Sequence, residues 1–276
     1  MKKNKTAIIL FIIILGLVGY IVYKNWVPKQ EEVKVENKVE TQTKAEELVI
    51  KDSYQTKTLT QADPYMKFDV KYPSFKNADA DFNASIEKLL KNGMTEDAKS
   101  SKENWQARYD TQVKGDNIPK VPANDDKFAF YSSYKVIQSN SDYISVVLNY
   151  GAFTGGAHGY ENNVTFNYDV KNKKNIELKD LFPNDPDYLT YLSTQSRISL
   201  KKTFATVSEN DKQQATAEEI KEVVKDIVTS IDSGTEPKAE NFTAFTFTKN
   251  KITIYFSQYQ VGPYSFGSPE VEINRK

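Results

Sequence analysis

The chain has no cysteine. No disulfide framework, thiolate nucleophile, zinc–thiolate site or iron–sulfur cluster can be built from it. A lipoprotein anchor, which needs a Cys, is excluded as well. Histidine occurs once, at position 158. Charge of either sign is not in excess, because 37 Lys and Arg balance 37 Asp and Glu. No basic surplus exists to neutralise a phosphate backbone, so nucleic acid is not an expected partner. No G-x-S-x-G nucleophile elbow occurs. No internal repeat is seen at the roughly 20–50-residue periods of solenoids.

Apolar residues make up 39% of the chain and include 15 Phe and 17 Tyr. That is enough to bury a real core. Ala7 to Tyr23 is an uncharged, strongly apolar run of 17 residues. As a helix it is roughly 26 Å long, near the lower limit for a membrane span. Lys2, Lys3 and Lys5 precede it, and Glu31 and Glu32 follow. The positive-inside rule puts residues 1–6 in the cytoplasm as a short tail, and everything after Trp26 outside. The other reading is a cleaved signal peptide, but "YIVYKNWVPK" offers no small-x-small site. The expectation is a single-pass signal anchor over residues 7–23, holding the C-terminal domains on the extracytoplasmic side of the cell membrane. Absence of Cys fits that compartment.

Residues 24–51 are polar, rich in Lys and Glu, and short of the apolar surface that would offset ordering entropy. They read as a flexible stalk. "PYMKFDVKYP" alternates Met66, Phe68, Val70 and Tyr72 and predicts a strand. Phe82, Ile86, Leu89 and Leu90 predict a helix that Asn92–Gly93 ends or interrupts. "FAFYSSYKVIQ" and "DYISVVLNYGAF" predict two strands. "NVTFNYDV" predicts another, and "IELKDLF" is expected to return beside it after the "KNKKN" turn. Leu189, Leu192 and Leu200 mark a helix after "PNDPD". Thr216 and Glu219 form a capping box for a second. Its apolar stripe runs through Ile220, Val223, Val224, Ile227, Val228 and Ile231. Phe245 and Phe247 are expected to pair with the Ile252–Phe256 run as a hairpin. Strands and helices segregate rather than alternate. The fold class expected is α+β: an N-terminal transmembrane helix, then two mixed domains over 52–150 and 151–276. Each would have mainly antiparallel sheets and helices packed on one face.

Three stretches stand in order: "FTGGAHGYENNVTFNYDVKNKKNIELKDLF", the helical region, and "ITIYFSQYQVGPYSFGSPEVEI". This order resembles the bacterial extracytoplasmic DUF3298 (RsiV-like C-terminal) family. The matching positions are Gly155, Gly156, Ala157 and His158, then Asp169, then Leu178, Asp180, Leu181 and Phe182. Phe256, Tyr259, Tyr264 and Gly267 complete the pattern. The preceding half resembles the PdaC-type (DUF4163) domain through "KFDVKYP", the Phe82–Leu90 helix and "YISVVLNYGAFTGGAH". The resemblance implies a domain pair that occurs beside a polysaccharide-deacetylase catalytic domain, or as the ectodomain of lysozyme-sensing anti-sigma factors. Deacetylases of that class need a metal held by one Asp and two His, which a single His cannot supply. An anti-sigma factor needs a cytoplasmic domain, which the residues before Ala7 cannot form.

The function expected on these grounds is a non-enzymatic, membrane-tethered binding module for a protein or cell-wall ligand. By resemblance, that ligand is a lysozyme-type enzyme or peptidoglycan. A carboxylate-based cell-wall hydrolase and a structural envelope component are the alternatives. No metal or other cofactor is expected, and the chain is not expected to be an enzyme. The expected ligand-binding residues are Phe153, His158, Tyr160, Tyr259, Tyr264 and Phe266. Tyr-rich, glycine-shaped loops offer rigid contact area at low entropy cost. Gly155, Gly156, Gly159, Gly262 and Gly267 are the turn residues. His158 is open to three roles, as catalytic base, ligand contact, or a polar pin in a tight bend, and the last is preferred. "NDPD" and "NDD" lack calcium-loop spacing and are read as caps and turns.

Overall fold

The computed structural model describes residues 48–112, 117–205 and 216–275. The expected tail, anchor and most of the stalk lie outside them. Among the described residues, no helix is long and apolar enough to cross a membrane.

The first sheet comprises β1 (Tyr54–Leu59), β2 (Met66–Phe75), β3 (Phe128–Ser139), β4 (Tyr143–Phe153), β5 (Tyr160–Asp169) and β6 (Lys174–Asn175), in sequential order. All neighbours are antiparallel except β2 and β3. A parallel pair needs a crossover. Here it contains α1 (Ala80–Asp110), so one β-α-β unit sits inside a chain whose elements otherwise segregate.

Helix α1 is capped by Asp79, whose carboxylate accepts from the Phe82 amide. Phe82, Ile86, Leu90, Met94, Asp97, Ser101 and Trp105 recur every three or four residues and are buried. The apolar members pack on Phe130, Ile144, Val146, Leu148 and Tyr168. The helix does not stop at Asn92–Gly93, contrary to the sequence expectation. A mid-helix glycine costs about 1 kcal/mol, whereas burying Leu90 or Met94 contributes roughly 1.5–3 kcal/mol each. Gly93 also has a packing reason, since a Cβ there would stand 3.1 Å from the Phe130 ring.

The second core joins α2 (Tyr188–Phe204) and α3 (Ala217–Gly234) to a three-stranded antiparallel sheet. That sheet comprises β7 (Phe245–Phe247), β8 (Lys251–Tyr255) and β9 (Glu270–Asn274). Phe245 pairs with Ile254 and Phe247 with Ile252, as the hairpin pattern predicts. The Thr216–Glu219 capping box forms. The stripe on α3 is buried only at its C-terminal end, at Ile231, and Val223 is 41% exposed. Packing is tightest at that end, where a Cβ on Gly234 would lie 1.9 Å from the Gln260 carbonyl oxygen. "IELKDLF" does not return as a strand. Glu177 and Asp180 bond reciprocally to backbone amides and turn Leu178–Leu181 into a short 3-10 helix.

The expected division at 150/151 falls inside β4, and the change of core comes between Asn175 and Leu178. The two cores meet through polar contacts. The free edge of β7 lies on the face of the first sheet that α1 leaves open. Phe245 N donates to Thr165 Oγ1, Asn167 Nδ2 donates to Phe245 O, and Phe247 N donates to Ser145 Oγ. Side chains of one sheet thus satisfy a strand edge that would otherwise be unpaired.

Candidate functional site

The β4–β5 connection carries the glycine-rich stretch. Ala152 pairs with Tyr160, so the chain reverses between them. Gly155 and Gly156 have φ of +104° and +100°, a region that L side chains rarely enter. Gly159 passes so close to β4 that a Cβ would stand 2.6 Å from the Ala152 carbonyl oxygen.

His158 is exposed at the tip of this bend and is held through both ring nitrogens. Nδ1 lies 2.8 Å from Gly159 O, and Nε2 lies 3.2 Å from Tyr259 Oη. A carbonyl only accepts, so in the neutral ring Nδ1 carries the proton and Nε2 accepts from Tyr259. Gly159 O accepts a second bond, from the Tyr264 hydroxyl at 3.1 Å. The Tyr264 ring stacks on the imidazole, with centroids 3.9 Å apart. Tyr259 is 59% exposed and has φ +65°, a left-handed conformation that costs a non-glycine residue roughly 1–2 kcal/mol. His158, Tyr259 and Tyr264 therefore form one cluster, built from a hairpin of the first core and a loop of the second.

The other three expected contact residues lie apart from it. Phe153 packs edge-on against Phe128. Tyr160 turns toward α1 and bonds Asp97 Oδ2 at 2.5 Å. Phe266 stacks on Phe204 of α2, and Gly262 leaves room for that ring, which a Cβ would meet at 2.3 Å. Gly267 ends the short 3-10 turn after Pro263 with φ +65°.

Sequence reasoning missed four polar neighbours. Tyr131 donates to Glu161 Oε1 at 2.6 Å across Gly151, the residue paired with both. A Cβ on Gly151 would stand 2.8 Å from the Tyr131 hydroxyl and 2.2 Å from the Tyr160 carbonyl oxygen. Burial and, secondarily, Glu161 push the Tyr131 hydroxyl well above the ordinary phenol range. The Glu161 amide donates to Gln258 Oε1, tying this carboxylate to the loop that carries Tyr259. Asp97 is the fourth. Burial raises its carboxyl above the usual range, and the Tyr160 hydrogen bond partly opposes the shift. The alternation of β3, β4 and β5 could have placed Tyr131, Gly151 and Glu161 on one face. Their register could not be read without the pairing.

Two cavities lie elsewhere. One of about 660 Å³ is lined by Phe166, Asn167, Leu178, Tyr188, Phe242 and Phe245. One of about 400 Å³ is lined by Lys135, Lys251, Glu270 and Glu272, among others. Neither includes His158, Tyr259 or Tyr264.

Comparison with known proteins bears on both halves. Residues 59–161 match the family described as "Deacetylase PdaC", and residues 179–276 match "Protein of unknown function (DUF3298)". The chain carries a PdaC domain followed by a DUF3298 domain. Peptidoglycan-N-acetylmuramic acid deacetylase PdaC of Bacillus subtilis (strain 168) is 26% identical over 271 residues. The match takes in 98% of this chain but 48% of that protein, so the chain spans about half the length of this relative. A DUF3298 family crystal structure from Bacteroides fragilis NCTC 9343 is 17% identical and has a TM-score of 0.51. It covers 80% of this chain and 89% of its own. This likeness supports the α+β fold. A DUF3298 family structure from Pseudomonas aeruginosa PAO1 is 17% identical over 81% of this chain and 91% of its own, with a TM-score of 0.46.

The expectation that the chain is not an enzyme is corrected by these matches. The PdaC domain and the Bacillus relative both bear the name of a deacetylase, which points toward an enzyme. The metal implied by the polysaccharide-deacetylase resemblance does not fit the residues present. Among the described residues no three His, Asp or Glu side chains converge, and both nitrogens of His158 already have partners.

Proposed function

We propose that this chain works at the bacterial cell wall, in the deacetylation of peptidoglycan. It meets the glycan at the His158–Tyr259–Tyr264 cluster, beside Glu161. The observation that carries this is the cluster itself. The His158–Tyr264 stack, with the largely exposed Tyr259 ring tilted beside it, is tied through Gln258 to the backbone amide of Glu161, whose carboxylate accepts from Tyr131. Rigid aromatic area with a few placed polar groups is the composition of a ligand site. The PdaC domain and the deacetylase relative support peptidoglycan as the ligand. In this reading the Ala7–Tyr23 run tethers the protein to the cell membrane, with both domains facing the wall.

Incubation of purified muropeptides with the full chain tests the reading by mass spectrometry. Hydrolysis replaces an N-acetyl group by a free amine and releases acetate. The expected result is deacetylated product that diminishes in Tyr259→Ala. Unchanged acetylation, with no difference between the two proteins, contradicts it. A parallel calorimetric titration with a C-type lysozyme examines the protein ligand implied by the DUF3298 resemblance.

A further inference from the structure

The face of the first sheet opposite α1 carries a row of polar side chains between the β7 edge and the Gln258–Tyr264 loop. Strand residues alternate between faces. Phe130, Leu148 and Tyr160 point into the core with α1, so Tyr131, Ser133, Asn149, Gly151, Glu161 and Asn163 point the other way. Register sets them in two lines across β3, β4 and β5. Tyr131, Gly151 and Glu161 form one, and Ser133, Asn149 and Asn163 form the next. Two interstrand steps make each line roughly 10 Å long.

The second line is amide and hydroxyl throughout. Asn149 Nδ2 donates to Asn163 Oδ1 at 3.1 Å. An amide side chain has one acceptor and two N–H donors. Among the described residues this single bond leaves the Asn149 oxygen and the Asn163 amino group without a protein partner. Asn149 and Asn163 are half-buried and Ser133 is exposed. In the first line, among the described residues, Glu161 uses only Oε1 on Tyr131. Gly151 offers no side chain and lets the Tyr131 hydroxyl lie across it. The β7 edge bounds the face at Thr165, and the Gln258–Tyr264 loop bounds it at Glu161. That loop carries Tyr259 and Tyr264.

We propose that this face is a saccharide-binding platform: an N-acetylated glycan strand lies across Ser133, Asn149, Asn163 and Glu161, and continues onto the Tyr259–Tyr264 rings. This rests on the reading that the chain engages peptidoglycan, and it names the surface and the ligand class. Sugar hydroxyls and acetamido groups both donate and accept. Paired amides with free groups of both kinds, and a carboxylate with one free oxygen, match that chemistry. A cationic polymer would find one carboxylate here, and an apolar peptide would find no apolar side chain in the second line.

The test uses the full chain and a ladder of soluble N-acetylglucosamine oligomers, with affinity read by calorimetry. Ser133→Trp fills an exposed position on the face without touching the core. Asn163→Ala removes a contact with little change in volume. The expected result is affinity that rises with oligomer length and falls about tenfold, or about 1.4 kcal/mol, in either variant. Circular dichroism melts of both variants stay near the parent. If Tyr259→Ala weakens binding while Ser133→Trp and Asn163→Ala leave it unchanged, the platform is overturned and the peptidoglycan reading stands. If the unmodified chain binds no oligomer of any length, both fail.

Discussion

The Tyr264 ring lies on the His158 imidazole at a centroid distance of 3.9 Å, and it joins the β4–β5 connection to the β8–β9 connection. The only histidine therefore fastens a hairpin of one unit to a loop of the other. Stacking contributes about 0.5–1.5 kcal/mol beyond area burial, and each hydrogen bond about 1 kcal/mol. His158→Ala is expected to cost about 1–2 kcal/mol in urea unfolding. Tyr264→Phe keeps the stack, loses the bond to Gly159, and should cost less. Equal stability of His158→Ala and the parent would show that the cluster fastens nothing.

Gly151→Ala is expected to be among the most disruptive single-methyl additions in the chain. The added Cβ meets a backbone carbonyl oxygen at 2.2 Å and a hydroxyl at 2.8 Å. Neither can move without breaking the β4–β5 ladder or the Tyr131–Glu161 bond. A loss of about 2 kcal/mol or more is expected from such overpacking, measured as a fall in Tm. A variant as stable as the parent would mean that the strands part easily here.

Asp97 makes stability depend on pH in an unusual direction for a carboxylate. Burial raises its native value above the ordinary one of 3.8. The native state then holds the proton at pH values where the unfolded chain has lost it. The group's contribution is complete in acid and is lost as pH rises through the raised native value. Asp97→Asn keeps an acceptor for Tyr160 and removes the charge. It should raise Tm at neutral pH, and the gain should vanish below about pH 4. A gain that persists unchanged in acid would contradict the assignment.

Asn167→Ala tests the joint between the cores. Asn167 donates to Phe245 O and accepts from Ser145 Oγ, and all three sites are buried. Leaving such groups unpaired costs about 1–3 kcal/mol each. Hydrogen exchange should show β7 amides opening well before the rest of the second sheet. Undiminished protection there would place the joint elsewhere.

The parts of the fold that were legible in the sequence are those set by local periodicity and capping. The β3 and β4 strands, the β7–β8 hairpin and the Thr216–Glu219 box all follow from residues close in the chain. Gly93 misled because its propensity cost is local, whereas the Phe130 ring that favours it is contributed by a strand 37 residues on. Glu177 and Asp180 misled for the opposite reason: their side-chain bonds to the backbone outcompete the strand pattern of "IELKDLF". At the site, the glycine bend and the Tyr259–Tyr264 loop could be read separately. That they meet on His158 depends on how the two cores dock, and the docking rests on Ser145, Thr165 and Asn167. Nothing in the sequence distinguishes these three from other polar strand residues.

The most direct test of the account is co-sedimentation of the full chain with purified, insoluble peptidoglycan, in parallel with Tyr259→Ala. The unmodified protein is expected to be carried into the pellet, and the variant to stay largely in the supernatant while remaining folded. Equal partitioning of both proteins, or no binding by either, would contradict the central claim that the His158–Tyr259–Tyr264 cluster is where this protein meets the cell wall.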